Sequence, residues 1–188
     1  VNVFCADGYA AITNDNATWT VIEALTRNLE EGWNWFSSYV VADAEDVQEA
    51  LGENGLQIKS QLGFSQYIEY NGMKFWDGTI TENPSVGMYM IKTSQAHEMT
   101  LVGNHVDPSQ TPITIHPDWT WIAYPMTVET NISDAIDFTP EVGDQIKGRN
   151  GFAYYFGEHT GWGGEINTLV PGHGYMYHSL AEDTKTLK

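Results

Sequence analysis

Carboxylates are the most frequent reactive groups in this chain of 188 residues. Asp and Glu number 25 against eight Lys and Arg, for a formal net charge of −17. Two carboxylates across a cleft would hydrolyse a glycoside, and histidines could serve as bases or metal ligands. Neither set has the spacing that such chemistry needs. There is no Gly-x-Ser-x-Gly elbow, no phosphate-cradling loop and no His-Glu-x-x-His. Gly161-Trp162-Gly163-Gly164 is glycine-rich but leads into a strand, which makes it a poor phosphate cradle. His173 and His178 are five apart on one expected strand and would face opposite ways. A single Cys5 excludes an internal disulfide framework and a Cys-based zinc site. The expectation is no catalytic residue, no metal and no cofactor.

The chain instead keeps one pattern twice. Gly32-Trp33-Asn34-Trp35-Phe36 is echoed 86 positions later by Asp118-Trp119-Thr120-Trp121-Ile122. Gln57-Ile58-Lys59-Ser60 returns as Gln145-Ile146-Lys147-Gly148, and Gly63-Phe64 as Gly151-Phe152. Tyr67 returns as Tyr155, Trp76 as Trp162 and Tyr89 as Tyr175. No carboxylate recurs as a matched pair, and Asp77 becomes Gly163. A duplicated module that keeps no acid, base or nucleophile reads as a non-enzyme.

What recurs is aromatic, amide and cationic, and it divides into two sets. Trp33 and Trp35, with Trp119 and Trp121, are same-facing tryptophans beside aliphatics and are read as core. Phe64/Phe152 and Tyr89/Tyr175 are read as core too. Gln57, Lys59, Tyr67 and Trp76, with Gln145, Lys147, Tyr155 and Trp162, are the candidate ligand set. Lys59 and Lys147 are conspicuous in a cation-poor chain; each serves either a salt bridge or a ligand. Trp76 and Trp162 stand beside glycine and polar residues, where an exposed ring is expected. An exposed indole stacks on the C–H face of a sugar while amides and ammonium groups take its hydroxyls. The same patch would also suit a protein partner.

These residues need a scaffold, and its elements are legible. In copy A, Asp43 caps a short helix, Glu45 and Asp46 suit its positive end, and Gly52 closes it. Val47, Ala50 and Leu51 have helical spacing, repeated as Ile132, Ala135 and Ile136. Short β runs follow, broken by Gly, Asn or Pro, with a tight turn at Asn71-Gly72. The expected fold is mainly β (α+β): two tandem repeats, each an antiparallel sheet with one short helix. Residues 29–110 form copy A and 111–188 copy B. Residues 1–28 are a lead strand, around Thr18–Ile22, or the tail of a preceding unit.

The acidic balance disfavours nucleic acid and anionic membrane surfaces, since both are bound by Lys and Arg. No apolar run approaches a membrane span. A start at Val1-Asn2-Val3 reads as a piece of a longer polypeptide.

The motifs carry a resemblance. Gly-Trp-Asn-Trp-Phe-Ser from Gly32, Ile-Lys-Ser-Gln from Ile58, Gly-Trp-Gly-Gly from Gly161 and Pro-Gly-His-Gly-Tyr-Met-Tyr from Pro171 resemble a tandem module of large Bacteroidetes proteins. Those are secreted or surface proteins of gut and rumen bacteria, some with polysaccharide-degrading domains. The resemblance spans about Leu29 to Leu187. It implies a non-catalytic, extracytoplasmic module that binds a neutral polysaccharide such as a plant cell-wall glucan. The other reading is a structural spacer or protein-docking module without sugar binding. Copy B departs from copy A at Gly148 for Ser60 and Arg149 for Gln61.

Overall fold

The computed structural model describes residues 22–188, together with the backbone of Asn14–Asp15 and Thr18–Trp19. Those two short segments, β1 and β2, pair as a tight antiparallel ribbon. Cys5 lies outside the described residues, as do Thr20 and Val21 of the expected lead strand.

The lead strand expected ahead of Leu29 is β3 (Ile22–Leu29), which pairs with His97–Asn104 and so joins copy A. Next come β4 (Gly32–Phe36), α1 (Ala44–Leu51), β5 (Gly55–Lys59), β6 (Phe64–Tyr70), β7 (Met73–Thr79), β8 (Tyr89–Thr93) and β9 (His97–Asn104). Copy B follows as β10 (Ile113–Ile115), β11 (Asp118–Ile122), β12 (Thr130–Asn131), α2 (Ile132–Ala135), β13 (Gln145–Gly148), β14 (Gly151–Tyr155), β15 (Trp162–Gly164), β16 (Thr168–Leu169), β17 (Tyr175–Ser179) and β18 (Lys185–Leu187). The five-stranded sheet of copy A has the order β4-β8-β5-β6-β7, and that of copy B has β11-β17-β13-β14-β15. All neighbours are antiparallel. Two-stranded ribbons accompany them: β3 with β9 in copy A, β10 with β18 in copy B. The fold is therefore mainly β, a tandem repeat of one antiparallel sheet with one short helix.

The local chemistry explains the elements. The Asp43 carboxylate accepts from the amides of Glu45 and Asp46, and Asp46 answers from the amide of Asp43, a full capping box. Asn71 and Gly72 both have positive φ, as a two-residue hairpin between β6 and β7 requires. Each copy has its own core. Phe36, Val47, Leu51, Ile58, Tyr89 and Ile91 centre the first; Ile122, Ile132, Ile146, Tyr175 and Tyr177 centre the second.

The copies meet through reciprocal contacts. The Ser37 amide donates to the Gly172 carbonyl at 3.3 Å, and the Ala123 amide, 86 positions on, donates to the Val86 carbonyl at 3.1 Å. Such exchange is the mark of an approximate two-fold relation. Gly174 sits where this seam is tightest: a Cβ there would collide with the Met88 side chain and lie 2.8 Å from the Phe36 carbonyl. The turn after β5 reaches across to β11, where the Gln61 amide donates to the Trp119 carbonyl at 2.9 Å and accepts from the Trp121 amide at 2.8 Å. The equivalent Arg149 of copy B reaches Glu30, just before β4, at 2.7 Å.

On one side of the seam Arg27 donates to His173 Nε2 at 2.7 Å, so that histidine is neutral. Burial, with Arg27 and Arg149 nearby, pushes its pKa down to about 4 from the usual 6.5. The unfolded chain then takes up the proton first. Stability is full above pH 6.5 and falls as pH drops toward 4. The expected loss is on the order of 2 kcal/mol after discounting for partial exposure. Melting temperatures of the wild type and His173→Gln between about pH 7 and pH 4 check this. Carboxylate titration is common to both proteins. The wild type should lose more, and parallel curves would refute the assignment.

Candidate functional site

Cross-strand register fixes which side chains share a face. In copy A one row runs Trp33, Lys92, Gln57, Gln66, Asp77, and the next Trp35, Met90, Lys59, Phe64, Thr79. The opposite face carries Asn34, Ile91, Ile58 and Ser65, none more than 3 % exposed. That second face covers the core. Copy B repeats the arrangement. Its outer rows are Trp119, His178, Gln145, Tyr154 and Trp121, Met176, Lys147, Phe152.

The reading of Trp33, Trp35, Trp119 and Trp121 as core is therefore corrected. They are half-buried on the outer face, and Phe36 and Ile122 take the inner position beside them. Phe64 and Phe152 are also outer residues, 49 % and 40 % exposed. Tyr89 and Tyr175 are buried, as expected.

The eight candidate ligand residues divide between the faces. Gln57, Lys59, Gln145 and Lys147 lie on the outer faces, in the same rows as the tryptophans. Tyr67 pairs with Trp76, and Tyr155 with Trp162, on the inner faces. The rings of each pair lie 5.5 Å and 5.4 Å apart, and both tryptophans pack against the core. The exposed setting expected for Trp76 and Trp162 is not found. The glycines beside them let neighbouring backbone approach: Gly78 and Gly164 have positive φ and stand against the backbone of Phe64–Ser65 and Phe152–Ala153.

On the outer face of copy A, Lys59 Nζ lies 4.9 Å from the Trp33 ring centroid and Lys92 Nζ 5.8 Å, both within cation–π reach. Lys59 and Lys147 form no ion pair among the described residues. A flexible lysine can swing aside when a ligand ring stacks, then donate to its hydroxyls. Beside Lys59 a shallow depression of about 430 Å³ runs between Gln57, Gln61, Leu62 and Phe64. In copy B, His178 replaces Lys92 and packs against Trp119, with ring centroids 4.8 Å apart and the rings tilted by 50°.

The sequence assigned Phe152 to the core and did not single out Tyr154 or Phe156. These three form an aromatic row along the outer face of β14 and just past its end, with ring centroids 5.2 Å and 6.5 Å apart. Their period of two was the available signal. Among the described residues no group of three His, Cys, Asp or Glu could hold a metal. Comparison with family models, curated proteins and solved structures finds no match to the chain.

Proposed function

We propose that the chain is a non-catalytic polysaccharide-binding pair of modules, part of a larger secreted or cell-surface protein, that presents the outer faces of its sheets to a neutral polymer such as a plant cell-wall glucan. One observation carries this. The sheet face turned away from each core repeats Trp33/Trp119, Trp35/Trp121, Gln57/Gln145, Lys59/Lys147 and Phe64/Phe152 at matching positions. Core packing does not require indoles on that side. A flat array of rings among amides and ammonium groups suits a sugar chain, whose C–H faces stack while its hydroxyls hydrogen-bond. The acidic balance does not oppose a neutral ligand.

Affinity electrophoresis in gels containing cellulose derivative, xylan, mannan or β-glucan tests it. Retardation is expected in at least one. Trp33→Ala and Trp119→Ala should each weaken it by about 1–3 kcal/mol, the scale of ring stacking on an aromatic platform. On a long polymer the double variant should lose more, because linked sites raise effective concentration. No retardation in any gel would favour a spacer or protein-docking module. Released reducing sugar would make the chain a hydrolase.

A further inference from the structure

The two sides of the seam differ. On one, Arg27 and His173 meet and fill the gap. On the other, the residues 86 positions away are Ile113 and Gly87. Ile113 turns into the core of copy B, and Gly87 has no side chain. A cleft of about 390 Å³ results, a size that takes a small ligand.

Its walls are mixed. Val86, Met88 and Trp121 supply apolar lining, while Glu82, Asn83 and His116 supply polar groups. Burial opposes ionisation of Glu82, but hydrogen bonds from the Ser60 hydroxyl and from backbone amides prevail and hold its pKa below the ordinary value. Its oxygens accept from Ser60 Oγ and the Leu62 amide, each at 2.7 Å, which fixes the carboxylate at the cleft wall. Asn83 Oδ1 accepts from the Ser85 amide at 2.8 Å, which leaves its NH₂ to donate. The His116 ring has no hydrogen-bond partner among the described residues. Spare donors and acceptors beside apolar walls match a ring bearing several hydroxyls.

Position links the cleft to the outer face. Ser60, Gln61 and Leu62 line both the cleft and the depression beside Lys59. Leu62, on this shared turn, is 84 % exposed. We propose that a polysaccharide lying on the outer face of copy A continues over this turn and seats one sugar residue in the seam cleft, beside Trp121. This rests on the polysaccharide reading and adds a subsite that copy B lacks, because Arg27 and His173 occupy its equivalent.

Gly87→Phe tests it. A Cβ at Gly87 would meet only the Trp121 carbonyl, at an ordinary 3.5 Å, and the backbone there is not left-handed. The ring can therefore plug the cleft without backbone strain. In a gel that retards the wild type, Gly87→Phe should bind about tenfold more weakly with an unchanged melting temperature. His116→Ala, which breaks no side-chain hydrogen bond or ion pair among the described residues, should weaken binding in the same direction and guards against misfolding of the first variant. Wild-type retardation that neither variant alters would overturn the cleft and leave the outer-face reading standing. If no polysaccharide retards the wild type, both fall.

Discussion

Replacing Asp144 with alanine should lower the stability of copy B by about 3–5 kcal/mol. Asp144 is fully buried. Its Oδ2 accepts from the Tyr177 hydroxyl at 2.7 Å and the Glu141 amide at 3.0 Å; its Oδ1 accepts from the Leu180 amide at 2.7 Å. Lys185 Nζ lies 4.0 Å away. Truncation leaves three donors facing a void, and an orphaned buried donor costs far more than a made bond contributes. Burial and the Asp144 carboxylate push the Tyr177 hydroxyl well above its ordinary pKa, so it stays a donor at all working pH values. Asp144→Asn, which turns one acceptor into a donor, should fall between alanine and the wild type. Tyr177→Phe should cost only about 1 kcal/mol, because it removes a single donor. Copy A has Leu56 at this place and no such network. Hydrogen exchange should therefore show lost protection in β13, β14 and β17 while β5, β6 and β8 stay near wild type. Equal loss in both copies, or a cost below about 1 kcal/mol, would mean the network is not what fastens copy B.

Local signals in the sequence were sufficient for the scaffold. The Asp43 cap, the Asn71-Gly72 turn and the alternation within each strand each act over a few residues, and each appears in the structure. The choice of face is a different kind of information. Alternation in Gly32-Trp33-Asn34-Trp35-Phe36 defines two faces but does not say which is inward. The two indoles outweigh Asn34 in any count of apolar size, yet Asn34 is buried. Its side chain bonds both the amide and the carbonyl of Glu30, at 2.9 and 2.8 Å, and so satisfies itself in the core. That compensation comes from the tertiary path of the chain. Register then propagates the choice, since taking one face for the other in β4 exchanges the faces of every strand paired to it. Pairing between β5 and β6 sets Gln57 against Gln66 and Lys59 against Phe64, so Tyr67 and its partner Trp76 fall on the other face from Gln57 and Lys59. The seam was illegible for a similar reason: it depends on Gly174 against Met88 and on Gln61 against β11, pairs far apart in sequence.

The same exchange of faces makes a second large effect testable. Trp162→Ala should destabilise copy B by roughly 2–4 kcal/mol, near the range for removing a large aromatic from a core. Its ring lies 5.4 Å from Tyr155 and 6.1 Å from Tyr177, and it closes one end of the second core. Trp76→Ala should behave alike in copy A. The Trp76 ring lies against Gly55, where a Cβ would come within 2.6 Å, so the backbone of β5 is shaped around the indole. Trp119→Ala should cost under about 1 kcal/mol, since its half-buried ring touches His178 on the outer face rather than the core. Denaturant melts followed by near-ultraviolet circular dichroism distinguish the variants, because core loss disturbs the signals of Tyr155 and Tyr177. Binding should run in the opposite order. Well below its own midpoint Trp162→Ala should still be retarded by the polysaccharide, whereas Trp119→Ala, fully folded, should not be held as strongly. If Trp119→Ala proves the more destabilising and Trp162→Ala the weaker binder, the indoles on the outer face are structural and the ligand lies elsewhere.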